Sequence, residues 1–177
     1  MRVSVYIATS LDGFIARRDG DIDWLPAPSD PEDGEDYGFS AFFDTVDCMV
    51  IVRKTMEKVL GFGVWPYEGK RVLVLSKTLA KAPPHLVGKV ELCSKSPAAL
   101  VARLENEGYQ RVYVDGGKTL QSFIREDLVT DLTVTRIPVL IGDGLPLFGQ
   151  LEHDVTLTHK ATRSYPSGLV QSTYVVT

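Results

Sequence analysis

The stretch VYVDGGKTLQSF, residues 112–123, contains the transition that decides the fold. An apolar run rich in β-branched and aromatic residues predicts a strand, and it leads into the pair Gly116–Gly117. A segment with helical spacing of its apolar positions follows from Lys118. Two glycines let the backbone come close to an anion, at which the first amides of the helix then point. The stretch therefore predicts a strand–turn–helix unit with an anion site, although the same glycines equally suit a tight turn that serves packing alone.

Strand and helix patterns alternate outward from this unit along most of the chain. Strand patterns lie at residues 2–8, 48–52, 71–76, 89–93, 111–117 (with its turn) and 131–140, and helix patterns at 37–46, 53–60, 97–107 and 118–126. Two further strand patterns, 155–165 and 169–176, are joined through Pro-Ser-Gly and predict a hairpin. The alternation predicts a single α/β domain over residues 1–177, in which a mostly parallel sheet gains an antiparallel edge.

Composition narrows the class of protein. The chain has 177 residues, 44% of them hydrophobic, and a net charge of -4, so nothing electrostatic favours a nucleic-acid partner. No apolar run reaches the length of a membrane span, and the first ten residues lack the layout of a signal peptide. Cys48 and Cys93 lie in apolar runs typical of reduced core residues, which favours the cytoplasm. The three histidines lack metal-ligand spacing, so no metal site is predicted.

The glycine stretch does not match the two common nucleotide fingerprints. A phosphate-loop kinase or ATPase needs the pattern G-x-x-x-x-G-K-[ST], which would place a glycine where Val112 stands inside the strand. The dinucleotide pattern G-x-G-x-x-G fails because there is no third glycine. A simpler helix-terminus anion site remains, with the phosphate-loop enzyme kept as a distant alternative.

Four segments in order resemble the dihydrofolate reductase superfamily, and most closely the reductase domain of the bacterial riboflavin-biosynthesis deaminase/reductase. They are YIATSLDGFIA (6–16), MVIVRKTMEKV (49–59), LVLSKTL (73–79) and VYVDGGKTLQSFI (112–124), the last followed by LTVTRIPVLIGDGLPLF (132–148). The resemblance implies a three-layer α/β fold, with a central mixed sheet between helices and a C-terminal antiparallel hairpin. It also implies a reductase that uses NADPH, acts on a small heterocycle and forms a homodimer.

The resemblance assigns the cofactor site to strand ends and helix starts. Arg53, Lys54 and Thr55 begin a helix, where charge, hydroxyl and backbone amides can meet phosphate together. Ser76 and Lys77, with Arg53, would hold the 2′-phosphate that distinguishes NADPH from NADH. The pyrophosphate would lie on the turn and helix start, and the first strand would also contact the cofactor; the residues implied are Gly116, Gly117, Lys118, Thr119 and Ala8.

One residue departs from the family pattern. The motif usually written I-M-G-R-K-T has Val52 in place of its glycine. A branched side chain at that point would crowd a backbone that must lie against the cofactor. We therefore expect Val52 to affect the geometry of cofactor binding, and a non-catalytic NADPH-binding module remains an alternative to an enzyme.

The resemblance also implies the catalytic acid. Folate reductases carry one carboxylate sixteen residues before the motif glycine, and that count from Val52 reaches Asp36. An aspartate in a largely apolar pocket would have a raised pKa and could hold a proton for the substrate, with Tyr37 as an auxiliary donor. The alternative is that Asp36 caps the following helix.

Substrate contacts are expected from Ser10, Asp12, Trp24 and Thr135, although the Asp-Gly pair at Asp12 is first of all a turn signal. The long connection after the first strand carries eight acidic residues between Asp19 and Asp36 and no lysine or arginine. This charge disfavours a phosphorylated substrate, unless Arg125, Arg136 or a second subunit contributes a cation. A pterin or an aminopyrimidine is the reference point, and dihydrofolate reductase proper is the alternative enzyme.

Overall fold

A computed structural model describes residues 1–26, 35–61, 63 and 65–177. The strands are β1 (Arg2–Ser10), β2 (Phe14–Ala16), β3 (Cys48–Val52), β4 (Arg71–Leu75), β5 (Val90–Cys93), β6 (Arg111–Val114), β7 (Asp131–Ile137), β8 (Leu145–Pro146), β9 (Leu157–Ser164) and β10 (Val170–Val176). The helices are α1 (Phe39–Asp44), α2 (Arg53–Leu60), α3 (Pro97–Asn106) and α4 (Gly117–Arg125), with a short 3-10 helix at Pro84–Leu86.

Eight strands form one mixed sheet in the order β5-β4-β3-β6-β1-β7-β10-β9, and β2 pairs with β8 separately. The six strands from β5 to β7 are parallel, whereas β10 runs antiparallel to β7 and β9 runs antiparallel to β10. The predicted α/β class, mostly parallel sheet and C-terminal hairpin are confirmed.

Two helical layers cover the parallel part of the sheet, as the alternation of side chains along a buried strand requires. In β3, Cys48 and Val50 pack on the α3 and α4 face, while Met49 and Ile51 pack on the α1 and α2 face. Both faces of the strand are apolar because both are covered, which is typical of parallel sheets. Cys48 and Cys93 are free and buried, as predicted.

The order of strands creates a switch point beside β1. The chain leaves β1, skips one position to form β3, and later returns to insert β6 between the two. Ligands of open α/β sheets bind outside the carboxyl ends of strands at such points. The ends of β1, β3 and β6 are therefore the first place to look for a site.

Several boundaries differ from those expected. The helix predicted over residues 37–46 forms only at Phe39–Asp44, and the strand predicted over 131–140 ends at Ile137, before Pro138. The short β2–β8 pair and the 3-10 helix were not predicted. Asp30, Glu32 and Asp33 of the acidic stretch, with the rest of residues 27–34, lie outside the described residues.

Candidate functional site

Two helices begin side by side at the switch point. Helix α2 starts at Arg53 directly after β3, and α4 starts at Gly117 directly after Gly116. Strands β3 and β6 are neighbours, with Val50 opposite Val114. Neither helix start carries a side-chain cap among the described residues. The free amides and positive dipole ends of both helices therefore meet at one edge of the sheet, where they favour an anion.

We call residues 53–55 and 116–119 the anion cradle. Arg53, Lys54 and Lys118 are exposed cations at its border, whereas Thr119 is buried at the start of α4. The structure thus brings together all seven residues predicted for phosphate contacts at these two helix starts. Their chemistry, free amides with three cations, fits the pyrophosphate of a dinucleotide.

Val52 packs against the glycine turn of the cradle. Gly116 has a φ of +104°, and a Cβ on it would come within 2.8 Å of Val52 Cγ2 and 3.0 Å of Thr55 Oγ1. A Cβ on Gly117 would come within 2.9 Å of Ile15 Cδ1. The close approach of Val52, Thr55 and Ile15 therefore explains why both positions are glycine, without any need for a ligand. Val52 thus fits against Gly116, while the effect of Val52 on a bound cofactor stays a prediction; the helix amides beside it carry no side-chain cap among the described residues.

The residues predicted for the 2′-phosphate follow two neighbouring strands. Val52 lies opposite Leu75, so Arg53 and Ser76 leave β3 and β4 side by side. Ser76 Oγ accepts hydrogen bonds from the amides of Thr78 and Leu79, which leaves its own proton available for a phosphate oxygen. Arg53 pairs with Glu57 at 3.4 Å on the surface, and Lys77 is exposed. A phosphate can compete with Glu57 for Arg53 because surface ion pairs of this kind are weak, and it can reach Lys77 because that side chain is exposed.

A cavity of about 270 Å³ lies further along the same edge, towards β1 and β7. Ala8 and Thr135 face each other across these strands, and Asp36 and Tyr37 close the cavity from the α1 side. The remaining wall is mostly apolar: Tyr6, Ile7, Leu25, Pro26, Phe39, Ile137 and Leu169. Four predicted site residues, Ala8, Asp36, Tyr37 and Thr135, therefore line one cavity.

The pKa expected for Asp36 is wrong in direction. Asp36 is exposed at the rim of the cavity, and its carboxylate accepts hydrogen bonds from the amides of Gly38 and Ser40, each at 2.8 Å. Hydrogen bonds from the Ser40 side chain and from these amides lower the pKa of Asp36. Asp36 thus makes the capping contacts that were the alternative interpretation. Its carboxylate is ionised at neutral pH and can accept a hydrogen bond from a ligand, but it holds no proton to give.

The backbone of Tyr37 is held from several sides. It has a φ of 57°, which is uncommon for a residue with a side chain. Its carbonyl accepts hydrogen bonds from the Tyr6 hydroxyl, from Gln171 Nε2 at 3.0 Å and from the Tyr165 hydroxyl at 3.3 Å. Its ring packs edge-on against that of Tyr165 at 4.9 Å. These contacts keep the wall of the cavity in a conformation that the chain alone would disfavour.

The other predicted substrate residues lie near the cavity but not on its wall. Ser10 is fully buried, and its Oγ accepts a hydrogen bond from the Phe14 amide at 3.0 Å. Asp12 accepts from the amide of Gly142 at 2.8 Å, so it ties the turn after β1 to the loop before β8. Contact of Ser10 or Asp12 with a substrate stays a prediction.

Trp24 packs in the cluster that includes Tyr37, Ile137 and Leu169, next to the cavity. Its indole N–H is buried without a hydrogen-bond partner among the described residues. Such a donor costs free energy unless something accepts from it, so a ligand beside Trp24 would be stabilised.

Two residues of the site were missed at the sequence level. Asp115 lies at the end of β6, between the cradle and β1, and accepts a hydrogen bond from the Gly116 amide at 2.8 Å. Burial raises the pKa of Asp115 to about 6. Its position directly before the glycine pair was a signal that could have been used. Gln171, from β10, carried no such signal because its importance depends on its neighbours in space.

Two kinds of feature are absent from the residues that the structure describes. These residues contain no helix with the length and apolar character needed to cross a bilayer. Within the same residues, no three His, Cys, Asp or Glu side chains come together in a way that could hold a metal ion.

Comparison with known proteins gives a family match over nearly the whole chain. The model of the family described as RibD C-terminal domain matches residues 2–171. The uncharacterized protein YwjB of Bacillus subtilis is 36% identical over 174 residues, which cover 97% of this chain and 95% of that protein. A second Bacillus subtilis protein, YyaP, is 27% identical over 188 residues and covers 98% of this chain and 94% of its own length.

Solved structures agree with the fold. A crystal structure from Shewanella sp. PV-4, whose name refers to riboflavin biosynthesis, superimposes with a TM-score of 0.91 at 39% identity, over 100% of this chain and 99% of that one. The diaminohydroxyphosphoribosylaminopyrimidine deaminase/5-amino-6-(5-phosphoribosylamino)uracil reductase of Thermotoga maritima has a TM-score of 0.72 at 18% identity. That similarity covers 99% of this chain and 56% of the longer protein, and it concerns the fold alone.

Proposed function

The chain belongs to the RibD C-terminal domain family, and from that premise we propose that it is an NADPH-dependent reductase which transfers a hydride to a small heterocycle. The related riboflavin-pathway reductase acts on an aminopyrimidine, and a pterin or aminopyrimidine is the class of substrate proposed here. The observation that carries the proposal is the pair of uncapped helix starts, α2 and α4, beside a mostly apolar cavity at the same sheet edge.

Each part of the edge supports one requirement of the reaction. The anion cradle would hold the pyrophosphate, and Arg53, Ser76 and Lys77 would hold the 2′-phosphate. Bound there, NADPH supplies a hydride, while the protein supplies binding, orientation and protons. Ala8 borders the cavity from β1, two strands away from β3 and thus roughly 10 Å along the sheet. A dinucleotide spans that distance easily.

The proton of the reaction needs a group that can hold it near neutral pH. We propose Asp115 for this role because it follows β6, the strand between β3 and β1, and because burial raises the pKa of its carboxyl to about 6. Asp36 would instead accept a hydrogen bond from an N–H of the substrate, because its pKa is lowered. The two carboxyl groups have opposite shifts, which is the pattern expected where one is an acid and the other a fixed anion.

Two alternatives differ in what the site does. Dihydrofolate reductase proper would require the same cofactor and a pterin substrate. A non-catalytic NADPH-binding module is favoured by one observation: Val52 places a branched side chain against Gly116, in the turn that would hold the pyrophosphate.

We further propose a homodimer, since every residue of the edge strand β9 is exposed and its backbone can pair with a second chain.

The experiment compares NADPH, NADH and ATP as stabilising ligands in thermal unfolding. A ligand at a hundred times its dissociation constant adds on the order of 2.7 kcal/mol to the free energy of unfolding. We expect NADPH to raise the melting temperature most. A shift with ATP alone would contradict the proposal. Oxidation of NADPH with dihydrofolate or an aminopyrimidine, and its loss in Asp115→Asn, then separates an enzyme from a binding module.

A further inference from the structure

Gln171 stands at the centre of a hydrogen-bond network that joins residues of the cavity wall. It lies directly opposite Thr135 in the antiparallel pair of β10 and β7. Its Nε2 lies 2.8 Å from Tyr6 Oη, 2.9 Å from Thr135 Oγ1 and 3.0 Å from the Tyr37 carbonyl oxygen. Its Oε1 lies 3.3 Å from the Tyr165 hydroxyl. Gln171 therefore touches three residues of the cavity wall, Tyr6, Tyr37 and Thr135, at once.

The orientation of the Gln171 amide follows from the chemistry of its partners. A backbone carbonyl only accepts hydrogen bonds, so the group facing the Tyr37 carbonyl must be the NH₂ and not the oxygen. The amide oxygen then faces the Tyr165 hydroxyl, whose single proton is shared between this oxygen and the Tyr37 carbonyl oxygen, each at 3.3 Å. A flipped amide would set two acceptor oxygens against each other at 3.0 Å. The network thus admits one orientation.

This orientation decides what Thr135 can offer a ligand. The two protons of the Gln171 NH₂ group are shared among Tyr6 Oη, Thr135 Oγ1 and the Tyr37 carbonyl oxygen. An amide nitrogen has no lone pair to accept with, so the Thr135 hydroxyl can only accept from Gln171 and cannot donate to it. No other described residue accepts the proton of the Thr135 hydroxyl. Thr135 is 5% exposed and lines the cavity, so its free proton is directed to that space. On the rim, Asp36 has further lone pairs beyond the two that the Gly38 and Ser40 amides use.

We propose that Gln171 is a specificity-determining positioning residue that makes Thr135 an obligate hydrogen-bond donor to the substrate. The substrate then presents an acceptor, such as a ring carbonyl oxygen, to Thr135, and an N–H group to Asp36. An amino-oxo pyrimidine edge has this pattern, whereas a diamino edge offers donors at both places. This inference rests on the proposed function for the substrate site, but it does not depend on the cofactor.

The test compares two probes that differ in one group: 2-amino-4-pyrimidinone, with an acceptor oxygen, and 2,4-diaminopyrimidine, with a donor amine in its place. Each probe is titrated with protein, and the change in the probe's own NMR signals reports the dissociation constant, so the same readout serves every variant. The measured quantity is the preference, the dissociation constant of the diamine divided by that of the pyrimidinone. The titrations are run at a pH at which the diamine is neutral, so that the new charge in Gln171→Glu does not favour a cationic form of one probe.

Gln171→Glu puts an acceptor where the donor was, so Thr135 turns its proton to the new carboxylate. We expect the preference to fall by about tenfold or more, the usual effect of one hydrogen bond to a buried group. Gln171→Leu avoids the new charge and should lower the preference less, because the Thr135 hydroxyl becomes free to rotate. In a Thr135→Val background, neither change at position 171 should alter the preference. Gln121→Leu, the same substitution at an amide that binds the Pro146 carbonyl outside the cavity, is the matched control.

The outcomes separate this inference from a purely structural role. If Gln171→Leu and Gln171→Glu fold, as shown by their melting, yet weaken both probes equally, Gln171 only supports the wall and the inference fails. It also fails if neither probe binds the original protein at millimolar concentration. A changed preference with no response to NADPH would leave this inference standing and remove the proposed function instead. A response to NADPH with an unchanged preference would leave the proposed function standing and overturn this inference.

Discussion

The side chain of Val52 lies on the α-carbon of Gly116, so that a Cβ at position 116 would stand 2.8 Å from Val52 Cγ2. This contact joins the ends of two neighbouring parallel strands, β3 and β6, at the point where their helices begin. It explains why a branched residue is tolerated where the related motif has glycine: the opposite glycine supplies the space.

We expect Gly116→Ala to destabilise the protein by about 1 to 3 kcal/mol, because the new methyl group meets Val52 and the φ of +104° is strained for alanine. Adding Val52→Ala should recover part of this loss, with a coupling of about 0.5 kcal/mol or more, since only the steric part is relieved. Urea unfolding of the two single variants and the double variant measures the coupling. Strict additivity would show that the two residues do not press on each other.

Arg53→Ala should weaken NADPH by about tenfold or more and leave NADH almost unchanged, because only NADPH carries the 2′-phosphate that Arg53 would meet. Calorimetric titration of both nucleotides gives the two ratios. Arg125→Ala, an exposed arginine at the far end of α4, is the control of equal charge and should change neither affinity. Equal losses for NADPH and NADH in Arg53→Ala would remove the 2′-phosphate assignment.

The two aspartates of the site should affect stability with opposite dependence on pH. The folded pKa of Asp115 is about 6, above the unfolded value near 3.8, so the folded protein keeps a proton that the unfolded chain has lost. Its contribution therefore falls as pH rises through this window. Asp115→Asn should be more stable than the original protein above pH 6, by up to about 3 kcal/mol, and equal to it below pH 4.

The pKa of Asp36 is lowered, so its contribution is present above the unfolded pKa and is lost as pH falls through the lower folded value. Asp36→Asn should accordingly cost stability at neutral pH and little in strong acid. Urea unfolding of both variants at pH 4, 6 and 8 provides the comparison. The same sign of pH dependence for the two substitutions would show that one of the environments is misassigned.

Leu157 begins the exposed edge strand β9 and is 39% exposed. If β9 forms the contact between two chains, Leu157→Asp should convert a dimer into a monomer, because it replaces an apolar side chain at the contact by a charge that would be buried there. Light scattering after size-exclusion chromatography measures the mass. Val87→Asp changes an even more exposed apolar residue elsewhere, 71% exposed, and should leave the mass unchanged. A monomeric original protein would end the dimer proposal.

Local sequence patterns determined the elements of this protein and much of the cradle. Apolar runs and helical periodicity were sufficient to predict β3 and α2 at their observed limits, and the Gly116–Gly117 pair marked the start of α4. These features depend on residues that are close along the chain, where sterics and side-chain spacing act directly.

Only the tertiary structure decided which groups carry charge and which can donate. The sequence placed Asp36 at the site and left two interpretations open, a buried acid and a helix cap. The fold decided for the cap, because it leaves Asp36 exposed with its carboxylate on the Gly38 and Ser40 amides, which reverses the expected direction of its pKa. The pKa of Asp115 is raised because neighbouring strands and helices bury its carboxyl group. Gln171 meets Thr135 through the register of β10 on β7, although 36 residues separate them along the chain. Burial and cross-strand register are properties of the whole packed chain, so no local pattern could have shown them.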